Sequence, residues 1–410
     1  MDKKSARLAA VLASCLALAV VGGVVLFRPA SPGGHGTGVS SAVKKLSAAD
    51  APHYRLVGGP AKSAAVPAWQ KPLRSDGNPG KVRKGFSALA KTYGLSLIPT
   101  YDGSNQETHP KLLYFPKGWN GYRYWMSMTP YPGTNAIYEN PSIVVSNDLK
   151  KWLVPKGLKN PVMGVPADVK YGGHYSDSHL VMNGGVMELW YRADLGNKKT
   201  RATDDRVDYY YRITSADGIH WSKPQKMQSS KDSILSLAVI RQQNRYQFWY
   251  TDRSHRLMYA DSADGTHWAD FCQCTISLPK GYVPWHQDVV FCNGRYYLLQ
   301  TAWYKQKYSF ALFLSESQDG VHFTKGTSFY PSDNPTILHK TWLYRSTLVP
   351  VENGIFQMVV SYRLPGNKWF MTQCSMPQKA WDEACLTNRQ VILNRTAAGT
   401  RKAASVSRKA

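Results

Sequence analysis

Acidic residues are scarce in this chain of 410: 27 Asp and Glu stand against 51 Lys and Arg, a formal charge of +24. A field of that sign favours anionic partners such as nucleic acid, lipid headgroups or acidic glycans, and it carries no information about fold. Cysteine is sparse too, with six in all. Cys272 and Cys274 form a CxC spacing, no CxxC pair occurs, and no histidine cluster accompanies them, which excludes a zinc ribbon. Long apolar runs are absent save one, residues 8–27, and no long low-complexity tract displaces the core-forming residues.

That single run holds 20 residues without a charge, enough to cross a bilayer as one helix. Lys3, Lys4 and Arg7 precede it, so residues 1–7 stay in the cytoplasm and the rest faces outward. A cleaved signal peptide needs a shorter apolar stretch and a small-x-small site, whereas this run ends in VLFRPAS. The expectation is an uncleaved transmembrane signal anchor at the cell surface or in the periplasm; cleavage leaves a secreted form. An exported chain does not meet a genome, so nucleic acid drops out as a partner and the basic tail 396–410 reads as solvated. Disulfides are allowed outside the cytoplasm. Cys374–Cys385 is the pair closest in sequence, one of Cys272 and Cys274 has Cys292 in reach, and one thiol is left over. Residues 28–94 read as a linker rich in Gly, Ser, Ala and Pro with a short helix at 84–94, closed by Gly94.

The heptapeptide SADGIHW (215–221) returns as SADGTHW (262–268), with looser copies SNDLKKW (146–152) and SQDGVHF (317–323). Self-similarity at steps of tens of residues marks a repeat architecture. Runs rich in β-branched and aromatic residues, bounded by Gly, Asn or Asp, fill the span between the copies. Grouped by fours, they predict an all-β, five-bladed β-propeller over residues 95–395. The heptapeptide is then the turn from third to fourth strand, with its Trp, or Phe323, packed between sheets. It is a fold element and carries no chemistry.

First strands line a propeller's channel, so polar residues at their starts converge. Those starts are THPKLLYF (108–115), YSDSHLVM (175–182), ILSLAVI (234–240), VPWHQDVVF (283–291) and WLYRSTLV (342–349), with YENPSIVVS (138–146) beside the first. Glu139, Asp177 and Asp288 are the candidate catalytic carboxylates. His109, His179 and His286 are candidates to tune them or to bind substrate. Arg345 offers a two-pronged hydrogen bond, and Trp285 a face for a sugar. Each also has a purely structural reading: Asp177 bonded to His179, Asp288 capping its strand or paired with Arg345, Glu139 paired with a surface Lys.

The HP…YF, SD.HL, WH.DV and YRS starts resemble the five-bladed propeller glycosidases, the arabinanase, β-xylosidase and fructosidase group that includes glycoside hydrolase families 43 and 32. The resemblance covers residues 95–395. It implies a base Asp in the first blade, an auxiliary Asp in the second and an acid Glu in the third. Asp177 matches the second position, but His109 stands at the first and Ser236 at the third. The resemblance implies a glycosidase, with Asp177 and Asp288 as the carboxyl pair; the run 8–27 puts its polysaccharide outside the cytoplasm, and the +24 charge favours an anionic one. A glycan-binding or polysaccharide-assembly propeller is the alternative, and a protein scaffold the third. No cofactor is expected, apart from the channel calcium found in some of the group, to which His286 and Asp288 could contribute.

Overall fold

A computed structural model describes residues 71–393 apart from 202, 231–234, 243 and 334–340. The expected anchor (8–27), most of the linker and the tail (396–410) lie outside the described residues. Among the described residues, no helix is long and apolar enough to cross a membrane.

The described residues build five sheets in sequence order, antiparallel except at one added edge strand. Blade 1 holds β1 (Glu107–Trp119), β2 (Tyr122–Pro130) and β3 (Ser142–Ser146). Blade 2 holds β4 (His174–Asn183), β5 (Val186–Gly196), β6 (Thr203–Ser215) and β7 (Gln225–Ser230). Blade 3 holds β8 (Leu235–Gln242), β9 (Arg245–Thr251), β10 (Leu257–Ser262) and β11 (Ala269–Gln273). Blade 4 holds β12 (Tyr282–Cys292), β13 (Arg295–Tyr304), β14 (Ser309–Ser317) and β15 (Thr327–Tyr330). Blade 5 holds β16 (Trp342–Leu343), β17 (Thr347–Val351), β18 (Ile355–Leu364) and β19 (Lys368–Pro377). The innermost strands touch in a closed cycle, β1 to β4 to β8 to β12 to β17 and back to β1. That cycle is the hub of a five-bladed propeller.

Three blades depart from the expected four strands; in blade 5, β16 and β17 both pair with β18 as two pieces of one inner strand, so that sheet is three strands across. Blade 1 has three, and its fourth place is taken by isolated bridges, Val145 to Leu153 and Asn78 to Val154. Blade 4 gains a fifth, β20 (Val391–Ile392), which runs parallel to β15. The expected helix is present as α1 (Phe86–Tyr93). It docks on blade 5, where Phe86 meets Phe370 and the Ser96 amide donates to Met371 O. A second helix, α2 (Gln378–Thr387), buries Trp381, Ala384 and Cys385 against the same core. The expected disulfides are not there. All five described cysteines are free, and Cys274, Cys292 and Cys385 are buried as small apolar side chains.

The repeated heptapeptide is the turn after the third strand. In blade 2, Ser215 Oγ accepts from the Gly218 amide at 2.7 Å, and Asp217 Oδ1 accepts from the Ile219 and His220 amides at 2.8 Å. The same bonds recur at Ser262 and Asp264 and at Ser317 and Asp319. Each turn's glycine faces a tryptophan of the preceding blade: Gly218 faces Trp125, Gly265 faces Trp190 and Gly320 faces Trp249. The turn's own aromatic is less buried than expected. Trp152 and Phe323 are buried, but Trp221 and Trp268 remain partly exposed.

Candidate active site at the hub

Four inner strands break register near the same level: β1 between Thr108 and Lys111, β4 between Ser176 and His179, β8 between Leu235 and Leu237, and β12 between Pro284 and His286. In the first three the extra residue is left-handed and is not glycine: His109 (φ 56°), Asp177 (φ 52°) and Ser236 (φ 55°). Such a conformation costs about 1 kcal/mol or more and persists where surrounding structure imposes it, commonly at functional sites. These bulges sit at the three positions that the glycosidase resemblance implies for carboxylates.

His109, Asp177 and His286 converge, each offering one ligand atom, with all three atoms within 4.8 Å of one another. His286 Nδ1 lies 3.5 Å and His109 Nε2 4.0 Å from Asp177 Oδ1. His109 Nδ1 lies 3.3 Å from Glu139 Oε2 and 3.0 Å from Thr129 Oγ1. Ser176 Oγ donates to the same Glu139 oxygen at 2.5 Å. Glu139 thus turns the His109 ring so that Nε2 faces Asp177. His109 Nε2 and both ring nitrogens of His286 are buried with no hydrogen-bond partner.

Asp177 is held by two arginines. Arg345 donates from Nη1 to Oδ1 at 3.0 Å, and Arg192 Nε lies 3.2 Å from Oδ2. Burial alone raises its carboxyl's pKa, but Arg192, His109, His286 and Arg345 together outweigh that and hold it well below the usual carboxylate range. Burial likewise pushes Glu139 up, and His109, His174 and Ser176 bring it below its ordinary value. Burial drives His286 well below the usual histidine range, which leaves a neutral ring. Both carboxyls at the cluster are ionised bases, and neither is a stored acid.

The other predicted residues sit around this trio. Arg345 spends Nη2 on Ser178 O and Leu237 O, so it positions Asp177. Asp288 is saturated. It accepts from Lys111 Nζ at 2.7 Å, from Thr347 Oγ1 at 2.7 Å and from the Leu348 amide at 3.1 Å. His179 Nε2 lies 2.9 Å from Val239 O, and burial keeps that ring neutral. Lys111 and Asp288 thus tie blades 1, 4 and 5 together, and His179 ties blade 2 to blade 3, by buried polar bonds. Trp285 flanks His286, and its Nε1 donates to the Tyr344 hydroxyl at 3.2 Å.

Sequence reasoning missed Lys111, His174, Ser176, Arg192 and Tyr344. Lys111, His174, Ser176 and Tyr344 stand within three residues of predicted site residues and were open to the same argument. Arg192 lies on β5, a second strand, where convergence gives no signal; it reaches Asp177 because Asp194 Oδ2 lies 3.1 Å from its Nη2.

No family model matches the chain. An A type blood N-acetyl-α-D-galactosamine deacetylase of Flavonifractor plautii is 37% identical over 147 residues, which is 34% of this chain and 18% of that protein. The chain therefore matches less than a fifth of that relative's length. A solved N-acetylgalactosamine deacetylase of F. plautii, in complex with blood group B trisaccharide, superposes with a TM-score of 0.56 at 22% identity, covering 69% of this chain and 93% of the other. A family 43 glycoside hydrolase structure from Bacillus licheniformis superposes with a TM-score of 0.48 at 13% identity over 65% of this chain and 52% of its own. By fold, the chain resembles the solved F. plautii deacetylase over 69% of its length, and at its hub His109 and Ser236 stand where the glycosidase resemblance implies carboxylates.

Proposed function

We propose that this chain is a metal-assisted hydrolase acting on a glycan, and that the bond it breaks is the N-acetyl amide of an amino sugar. The observation that carries this reading is the His109–Asp177–His286 trio with its unpartnered, buried ring nitrogens. Two imidazoles and one ionised carboxylate are the donor set that divalent transition metals take. A buried nitrogen without a partner is costly unless something binds it. When bound, a divalent ion supplies a Lewis acid for a carbonyl and lowers the pKa of water.

The chain's own residues prepare that chemistry. Glu139 fixes the tautomer of His109, as a carboxylate behind a ligating histidine does. Arg192 and Arg345 keep Asp177 ionised and aimed. Glycoside hydrolysis by a carboxyl pair instead needs one carboxyl kept protonated. Asp177 and Glu139 are both depressed, and Asp288 is tied to Lys111, Thr347 and Leu348. The partial match to a deacetylase supports the amide as the bond and an amino sugar as the substrate class. The uncharged run 8–27 behind three cations supports an anchored protein outside the cytoplasm, and the +24 charge supports anionic surface glycans as its surroundings.

The test is product identification by NMR, with methyl N-acetyl-α-D-galactosaminide as the probe. Free acetate and an amino sugar are the expected products, and they disappear with a chelator. A new reducing end without acetate overturns the proposal and returns the glycosidase reading. Binding without any product overturns it in favour of a glycan-binding module.

A further inference from the structure

The hub has two unlike walls. On the side of blades 1 and 2, Glu139, Ser176, Arg192 and Asp194 present polar atoms. On the side of blades 4 and 5 the wall is aromatic. Tyr344 lies 4.7 Å from His286 and 5.6 Å from His109 between ring centroids, and it is partly exposed. Rings continue outward from it without a break. Phe310 is 5.2 Å from Tyr344, Trp342 is 5.5 Å from Phe310, Trp285 is 5.6 Å from Phe310, and Trp303 is 5.5 Å from Trp285. Trp285, Trp303 and Trp342 are each partly open to solvent.

We propose that this wall is the platform for the sugars next to the reacting one, so that the protein takes an oligosaccharide and not a single sugar. The inference rests on the hydrolase reading above. Partly exposed tryptophans joined to a reacting cluster are amphipathic surfaces with little side-chain entropy to lose. The C–H face of a pyranose covers such a ring while its hydroxyls stay in water. Cations border the wall: Arg363 lies 3.8 Å over Trp342 and Lys305 5.8 Å from Trp303. That rim suits a hydroxyl-rich ligand better than an apolar protein face. Trp342 and Trp303 do not touch the trio, so the platform is separable from the chemistry.

The experiment compares Trp303→Ala and Trp342→Ala with the unaltered full chain on two probes. One is methyl N-acetyl-α-D-galactosaminide, and the other is a trisaccharide ending in N-acetyl-α-D-galactosamine. Thermal melting first confirms that each variant is folded, and Trp342→Phe serves as the conservative control. For the trisaccharide, kcat/KM is expected to fall about tenfold in each alanine variant and to recover in part in Trp342→Phe, while the monosaccharide stays within about twofold. Equal losses on both probes, or no loss on either, overturn the platform. If the unaltered chain releases acetate from neither probe, the hydrolase reading fails by itself. The platform is then judged by tryptophan fluorescence during titration with the same trisaccharide. Quenching that disappears in Trp303→Ala and Trp342→Ala supports it, and absence of quenching in the unaltered chain overturns it.

Discussion

Among single residues, Asp177 carries the most. It is buried between two arginines and two histidines, and it gives the trio its only negative charge. Asp177→Asn keeps the shape and removes the charge. Hydrolysis is expected to fall about a hundredfold or more in an acetate-release assay. Denaturant melts should show a loss of about 3–5 kcal/mol, because Arg345 is left buried without its partner. The folded carboxyl's pKa lies below its unfolded value, so its contribution is present above about pH 4 and fades as pH falls through the folded value. The variant and the unaltered chain should therefore converge in stability in strong acid. Glu107 has the opposite sign. It is fully buried on β1, and burial raises its pKa well above the ordinary value. Folding at neutral pH must then protonate it, a cost that grows as pH rises. Glu107→Gln should stabilise the protein at pH 7 by about 1–3 kcal/mol, with the gain gone below about pH 4. His109, Asp177 and His286 were all legible from the starts of first strands. Their grouping as two imidazoles and one carboxylate was not, because the three stand on β1, β4 and β12, far apart along the chain, and distances are invisible in sequence.

At the scale of elements, the bulges and the repeated turn decide the architecture. The bulge at Asp177 left no mark in the sequence, since an aspartate at φ 52° is read as an ordinary strand residue. The heptapeptide was fully legible as a turn. Its packing role fell on a different residue than expected, because the glycine leaves room for the preceding blade's tryptophan. Gly218 has φ 73°, and a methyl group there runs into the Trp125 ring. Gly218→Ala should cost about 2–4 kcal/mol in denaturant melts, combining overpacking with left-handed strain, and leave the chemistry of the hub intact. Blade 1 shows the counter-case. Its copy carries Leu149 at φ 62° in place of glycine, and that leucine is buried in one cluster with Trp152 of its own turn and with Val359 and Met371 of blade 5. Leu149→Gly should therefore destabilise, by about 2–4 kcal/mol on the same measurement, through the lost apolar burial.

Across the whole molecule, five blades bring residues from β1, β4, β12 and the segment before β17 to one point, although Asp177 and Arg345 are 168 positions apart. The ring was legible because strand runs and turns repeat. Its closure was not, because it depends on irregular parts: α1 and Ser96 docked on blade 5, and β20 returning to blade 4. The proposed hydrolysis requires the hub to bind one divalent ion through His109, Asp177 and His286. Calorimetric titration of the chelator-stripped full chain with Zn²⁺ and with Mn²⁺ tests it most directly. About one equivalent should bind to the unaltered chain, with affinity lost in His286→Ala and in Asp177→Asn. No binding of either ion, or binding that survives both substitutions, would contradict it.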